Sequence, residues 1–174
     1  MAPDVSPWVS ARAGLGAGFE GGLTATSRAV RVDARHAFES EHFALSLGLG
    51  ASAILAARPT GEDATSVYGG GLDLPVLLGW RSRADLYAVW LGPRLGVDFL
   101  TGQLDPGEGD TQPRVNGHHL HGGGVVGFRA GMRRLYGVLE VEVAYHHAEG
   151  TFGARSLTLG GWFATPAAAL AVSF

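Results

Sequence analysis

The 174-residue chain has no cysteine and no lysine. The first absence excludes a disulfide framework, a thiol nucleophile and any Cys-based zinc site. The second leaves Arg to supply all 13 basic residues, and Arg is the cation best suited to buried, bidentate pairing with carboxylates. Charged residues are only 17% of the chain and the net charge is −3, so nothing points to a nucleic-acid partner. No apolar run reaches the ~18 residues of a membrane-spanning helix. The start, Met-Ala-Pro-Asp, has neither a basic n-region nor an apolar h-region. A mature chain carrying an added Met1 is the expectation.

What is present is glycine and alternation. The 28 glycines are about twice the usual share, and mean hydropathy is +0.14. Alternate residues of a strand lie on opposite faces. At the C-terminus Trp162, Ala164, Pro166, Ala168, Leu170, Val172 and Phe174 share an apolar face, while Gly161, Phe163, Thr165, Ala167, Ala169, Ala171 and Ser173 share a small, mixed one. The same sorting predicts seven earlier strands: Val9 to Phe19, Ala29 to Phe38, His42 to Ala57, Val67 to Trp80, Asp85 to Phe99, His119 to Met132 and Leu135 to His146. One face of each carries no charge; the other carries Arg, Asp and Glu among Gly, Ala and Ser. Trp8 breaks the parity and is expected before the ladder or at a bulge. Residues 1–8 then form a short lead-in to a single domain, 1–174.

Connections are expected to alternate. Ser40-Glu41, Arg83-Ala84 and Arg133-Arg134 read as tight turns. Glu20 to Arg28, Arg58 to Ser66, Thr101 to His118 and His147 to Arg155 read as long loops. Alternating long and short connections, with a charge-free face on every strand, are the pattern of a transmembrane barrel. The loops carry Glu20, Glu62, Asp63, Asp105, Glu108, Asp110 and Glu149, an acidic crown. Phe38, Phe43, Trp80, Tyr87 and Phe174 fall at one expected rim, and Phe19, Tyr68, Phe99 and Tyr145 at the other.

Eight strands enclose only enough space for side chains, so the inward charges are expected to form a packed network. They are Arg12, Arg31, Arg35, Arg94 and Arg129 with Asp33, Asp73, Asp98, Glu140 and Glu142. The two sets balance, as desolvated charges must. Tight turns fix registers by counting. A turn at Arg83-Ala84 puts Asp73 opposite Arg94. A turn at Arg133-Arg134 puts Gly127 opposite Glu140, with Arg129 on the diagonal, and His121 opposite His146 near the mouth. Two facing imidazoles are a candidate metal site, with His118, His119 and His147 close by.

The whole chain resembles the small eight-stranded bacterial outer-membrane β-barrels of the OmpA and OmpX type. The resemblance rests on the eight alternating segments, the alternating connections and the terminal Phe174. It implies an all-β, closed, up-and-down antiparallel barrel with short periplasmic turns and long external loops. It also implies residence in the outer membrane among lipid and lipopolysaccharide, with a signal peptide removed, and assembly machinery that reads the last strand and Phe174. A structural or surface-interaction role, or a place as subunit of an envelope complex, is the expected function. Arg–carboxylate pairs in such barrels also gate narrow ion channels. Lipid A-modifying members of the class use His-x-Ser with an acid, or a His, Asp and Ser triad. This chain has no His-x-Ser; Tyr145-His146-His147-Ala148-Glu149 lacks the nucleophile. No catalytic residue and no cofactor is expected.

Overall fold

The structure is a computed structural model that describes residues 7–26, 29–57, 66–84, 86–103, 114–132 and 134–172. Nine strands follow in chain order: β1 (Trp8–Gly16), β2 (Phe19–Thr26), β3 (Ala29–Glu39), β4 (Phe43–Ala57), β5 (Ser66–Arg81), β6 (Tyr87–Gln103), β7 (Arg114–Met132), β8 (Leu135–Phe152) and β9 (Arg155–Val172). Each pairs antiparallel with the next, so the sheet is a nine-stranded meander. Among the described residues β1 and β9 do not pair, and the sheet is not closed.

The ninth strand corrects the expected count of eight. The stretch Val9 to Phe19 is not one strand, and Glu20 to Arg28 is not a loop. Gly16, Ala17 and Gly18 take φ of 88°, 49° and 78°, which reverses the chain and starts β2 at Phe19. Gly18 is required there, because a Cβ would lie 2.6 Å from the Ala37 carbonyl oxygen. A bulge between Gly14 and Gly16 offsets the reversal by one residue. Odd-numbered residues therefore stay on the same face of β1 and β2. Trp8 opens the ladder opposite Thr26 instead of preceding it.

The last hairpin is a second correction. His147 to Arg155 is not a long loop: β8 runs to Phe152, which pairs with Arg155 around Gly153 (φ 57°) and Ala154. The connection after β6 is also shorter than expected, since β6 reaches Gln103 and β7 starts at Arg114. Strict alternation of long and short connections therefore fails. Phe19 moves to the opposite rim, where His36 lies between it and Phe38, at ring-centroid distances of 4.3 and 4.4 Å.

Registers differ by turn. Met132 pairs with Leu135, Gly127 with Glu140 and His121 with His146, as counted from the sequence. Between β3 and β4 the Ser40 N–H donates to the Phe43 carbonyl at 2.7 Å, so the reversal is Glu41-His42. Between β5 and β6 the Ser82 N–H donates to the Tyr87 carbonyl at 3.0 Å, and Ser82 Oγ accepts from the Leu86 and Tyr87 amides at 3.0 and 3.2 Å. That reversal spans 83–86, so Asp73 faces Gly96 and Arg94 sits on its diagonal. A slip of two residues preserves every face.

The faces are sorted by polarity. One carries Leu23, Val32, Leu49, Leu72, Leu95, Leu139, Trp162 and Leu170, each with about half or more of its surface uncovered. Within the strands, the Arg, Asp and Glu residues on that face are Arg114 and Glu149, both at the same end. The other face curls into a trough whose cavity, about 440 Å³, is lined by residues from β1 through β8. Among the described residues the buried apolar side chains are Pro75, Val125, Tyr136 and Ala144. The sheet thus turns charge inward and leaves its apolar surface uncovered.

Candidate functional site

The concave face holds all ten expected charged residues: Arg12, Arg31, Asp33, Arg35, Asp73, Arg94, Asp98, Arg129, Glu140 and Glu142. They meet mainly across intervening strands. Arg12 on β1 reaches Asp33 on β3 at 2.6 Å. Asp33 also takes Arg31 Nη1 at 3.0 Å and Arg35 Nε at 3.6 Å. Arg31 grips Asp73 of β5 with two donors, Nε to Oδ1 at 2.8 Å and Nη2 to Oδ2 at 2.7 Å. Asp73 meets Arg94 of β6 at 3.5 Å, and Arg94 reaches Glu142 of β8 at 3.0 Å. The result is one chain of alternating charge, Arg12–Asp33–Arg31–Asp73–Arg94–Glu142, crossing the trough from β1 to β8. Bidentate, charge-assisted contacts are the strongest of their kind. Asp33 and Asp73, at 7% and 8% exposure, are the links that have left solvent.

Glycine makes the crossings possible. Arg31 and Asp73 meet directly over Gly50 of β4, Asp33 lies over Gly22 of β2, and the Trp90 ring lies over Gly127 of β7. A side chain at these positions would occupy the space of the ion pair or ring. Trp90 Nε1 donates to Glu140 at 3.0 Å, and the Arg129 guanidinium lies 4.6 Å from the centre of the Tyr136 ring. Alternation along the chain does not reveal Arg31 as the principal partner of Asp73, or Trp90 as the donor to Glu140.

At the end of the trough near β6 to β8, histidines gather around one carboxylate. His119 Nδ1 is 3.0 Å and His121 Nδ1 3.9 Å from Asp98 Oδ2. His119 Nε2 is 2.8 Å from His146 Nδ1. The rings stack, His119 to His146 at 5.0 Å and His121 to His146 at 5.6 Å. The Phe163 ring of β9 meets His146 edge-on at 5.2 Å. A cavity of about 470 Å³ opens beside His119, His146, Phe163 and Thr165. The expected pair His121 and His146 is therefore together, and His119 and Asp98 complete the group. His118 and His147 lie on the opposite face, at 3.7 and 2.9 Å from Glu149.

Phe174 lies outside the described residues, as do Glu62, Asp63, Asp105, Glu108 and Asp110 of the expected acidic crown. Glu20 belongs to β2 at the other end, 3.8 Å from Arg12, and Glu149 belongs to β8. The chain matched no protein-family model, no curated protein and no solved structure.

Proposed function

We propose that the chain is an integral outer-membrane β-barrel whose charged interior is a plug, acting through its rim and loops as a structural, surface-interaction or envelope-complex subunit. The observation that carries this reading is the inversion of polarity, with an uncovered apolar face outside and a paired charge chain inside. A water-facing sheet would expose a large contiguous apolar patch, which soluble proteins avoid. In lipid that face is the buried one. Strands of 15 to 19 residues, β4 to β9, exceed the ~9–11 that span a bilayer. The surplus carries Arg114 and Glu149 clear of the hydrocarbon.

Lipid does not tolerate an open sheet edge. The barrel therefore closes in the membrane by pairing β9 with β1. With nine strands these two run in the same direction, unlike the even, fully antiparallel arrangement of bacterial single-chain barrels. Closure through β2 instead would expel β1 and remove Arg12 from Asp33. The Cys-free chain allows a direct test. Cysteines at Ala11 or Ala13 of β1 should cross-link to a set placed along β9, at Ala164, Ala168 or Leu170, in membranes. Cross-linking from Leu23 of β2 alone would overturn nine-stranded closure. An unheated sample that migrates no faster than a heated one on a denaturing gel would overturn closure altogether. A second reading, a narrow gated ion channel, is favoured by the Arg-lined cavity beneath the charge chain. Single-channel recording in planar bilayers separates it from the plug.

A further inference from the structure

We infer that Asp98, His119 and His121 form a binding site for one divalent transition-metal ion, with His146 as the outer-sphere partner that orients His119. One ligand atom from each of the three lies within 4.8 Å of the others. Tetrahedral coordination with bonds of about 2.0–2.2 Å places ligand atoms roughly 3.3–3.6 Å apart. The separations from Asp98 Oδ2, 3.0 Å to His119 Nδ1 and 3.9 Å to His121 Nδ1, bracket that spacing. Small side-chain adjustments centre an ion between them.

Hydrogen bonding points the same way. His121 Nδ1 is buried and has no hydrogen-bond partner among the described residues. At 3.9 Å the Asp98 oxygen is too far to satisfy it. An ion held by that nitrogen, by His119 Nδ1 and by Asp98 gives it a partner. His119 Nε2 then carries the proton and donates to His146 Nδ1 at 2.8 Å. A metal-bound imidazole usually donates its second N–H to a fixed acceptor in this manner. The packing also limits ring movement, because His121 lies against Gly96, where any side chain would overlap it.

Two imidazoles and one carboxylate suit borderline ions such as Zn²⁺, Co²⁺ and Fe²⁺ better than Ca²⁺ or Mg²⁺. Three protein ligands leave a coordination position for water or a small anion, as in open zinc sites. The neighbouring cavity beside His119 and His146 gives such a ligand room. Strands β6 and β7 supply every ligand, so the site does not depend on closure or on a membrane. Its failure would leave the proposed function standing, and the reverse also holds.

The test is calorimetric titration of tag-free, detergent-refolded protein with Zn²⁺, and with Co²⁺ followed by its visible absorption. The wild type should bind one ion per chain. Asp98→Asn and His121→Gln should abolish the Co²⁺ band, with circular dichroism verifying that the strands remain. His146→Gln should weaken binding about 10–100-fold while keeping the stoichiometry, the usual cost of losing an outer-sphere partner. His118→Gln with His147→Gln, on the opposite face, should change neither. Wild-type affinity no greater than that of His121→Gln, or equal loss in the His118 and His147 double variant, would overturn the site.

Discussion

Removing Arg31 should cost more stability than removing Asp73, although the two are partners. Arg31→Ala leaves Asp73, 8% exposed, with only the 3.5 Å contact to Arg94. Breaking a buried pair by deleting one member costs about 3–5 kcal/mol, because the remaining charge stays desolvated. Asp73→Ala leaves Arg31 with a second acceptor, Asp33 at 3.0 Å, and Arg94 with Glu142 at 3.0 Å. Neither cation is stranded, so the expected loss is nearer 2 kcal/mol. The pairwise terms should differ as well. Arg31–Asp73 is bidentate at 2.7–2.8 Å, and a coupling of about 2 kcal/mol is expected from its charge-assisted geometry. Asp73–Arg94, single and longer, should couple by about 1 kcal/mol or less. Urea unfolding in detergent of the single, double and triple Ala variants measures each term by double-mutant cycles. Equal couplings, or a larger loss from Asp73→Ala than from Arg31→Ala, would show that the charge chain is not the one described.

Three further outcomes are expected. Gly50→Leu places a side chain where Arg31 and Asp73 meet, and should cost at least as much as Arg31→Ala, about 3–5 kcal/mol; Ala51→Leu on the outer face should cost under about 1 kcal/mol. Liposomes carrying the protein should not swell in an isosmotic disaccharide, since the charge chain crosses the trough from Arg12 to Glu142; rapid swelling would refute the plug. Deleting Phe174 should lower outer-membrane yield in cells while detergent refolding persists; equal yield would remove its proposed assembly role.

The division of residues between two faces was legible in the sequence because it depends only on the two-residue period. It survived the two-residue slip between β5 and β6, where Asp73 moved from Arg94 to Gly96, since even slips leave faces unchanged. The first hairpin was hidden by the bulge at Gly14 and Gly16. It keeps odd residues outward through the reversal, so alternation runs from Val9 to Phe19 as though one strand continued. Past His146 the outward positions become His147, Glu149 and Thr151, and a ladder without an apolar face reads as loop. Long-range pairs such as Arg31–Asp73 depend on sheet curvature and on a missing side chain at Gly50, which alternation does not encode. The histidine pair was legible from register alone. The same register left His119 beside the pair, whereas Asp98 needed the β6–β7 pairing, whose connection at 104–113 could not be counted as a tight turn.

An apolar face that meets lipid must be shielded from water along its whole length. The most direct measurement is single-cysteine labelling along β8 in protein reconstituted into vesicles, with spin labels at 139 to 144 read against apolar oxygen and a water-soluble nickel complex. Positions 139, 141 and 143 should be relaxed by oxygen and shielded from nickel, and positions 140, 142 and 144 should show low oxygen access. Nickel accessibility at 139, 141 and 143 equal to that of an exposed turn would place the apolar face in water and rule out a lipid-facing surface.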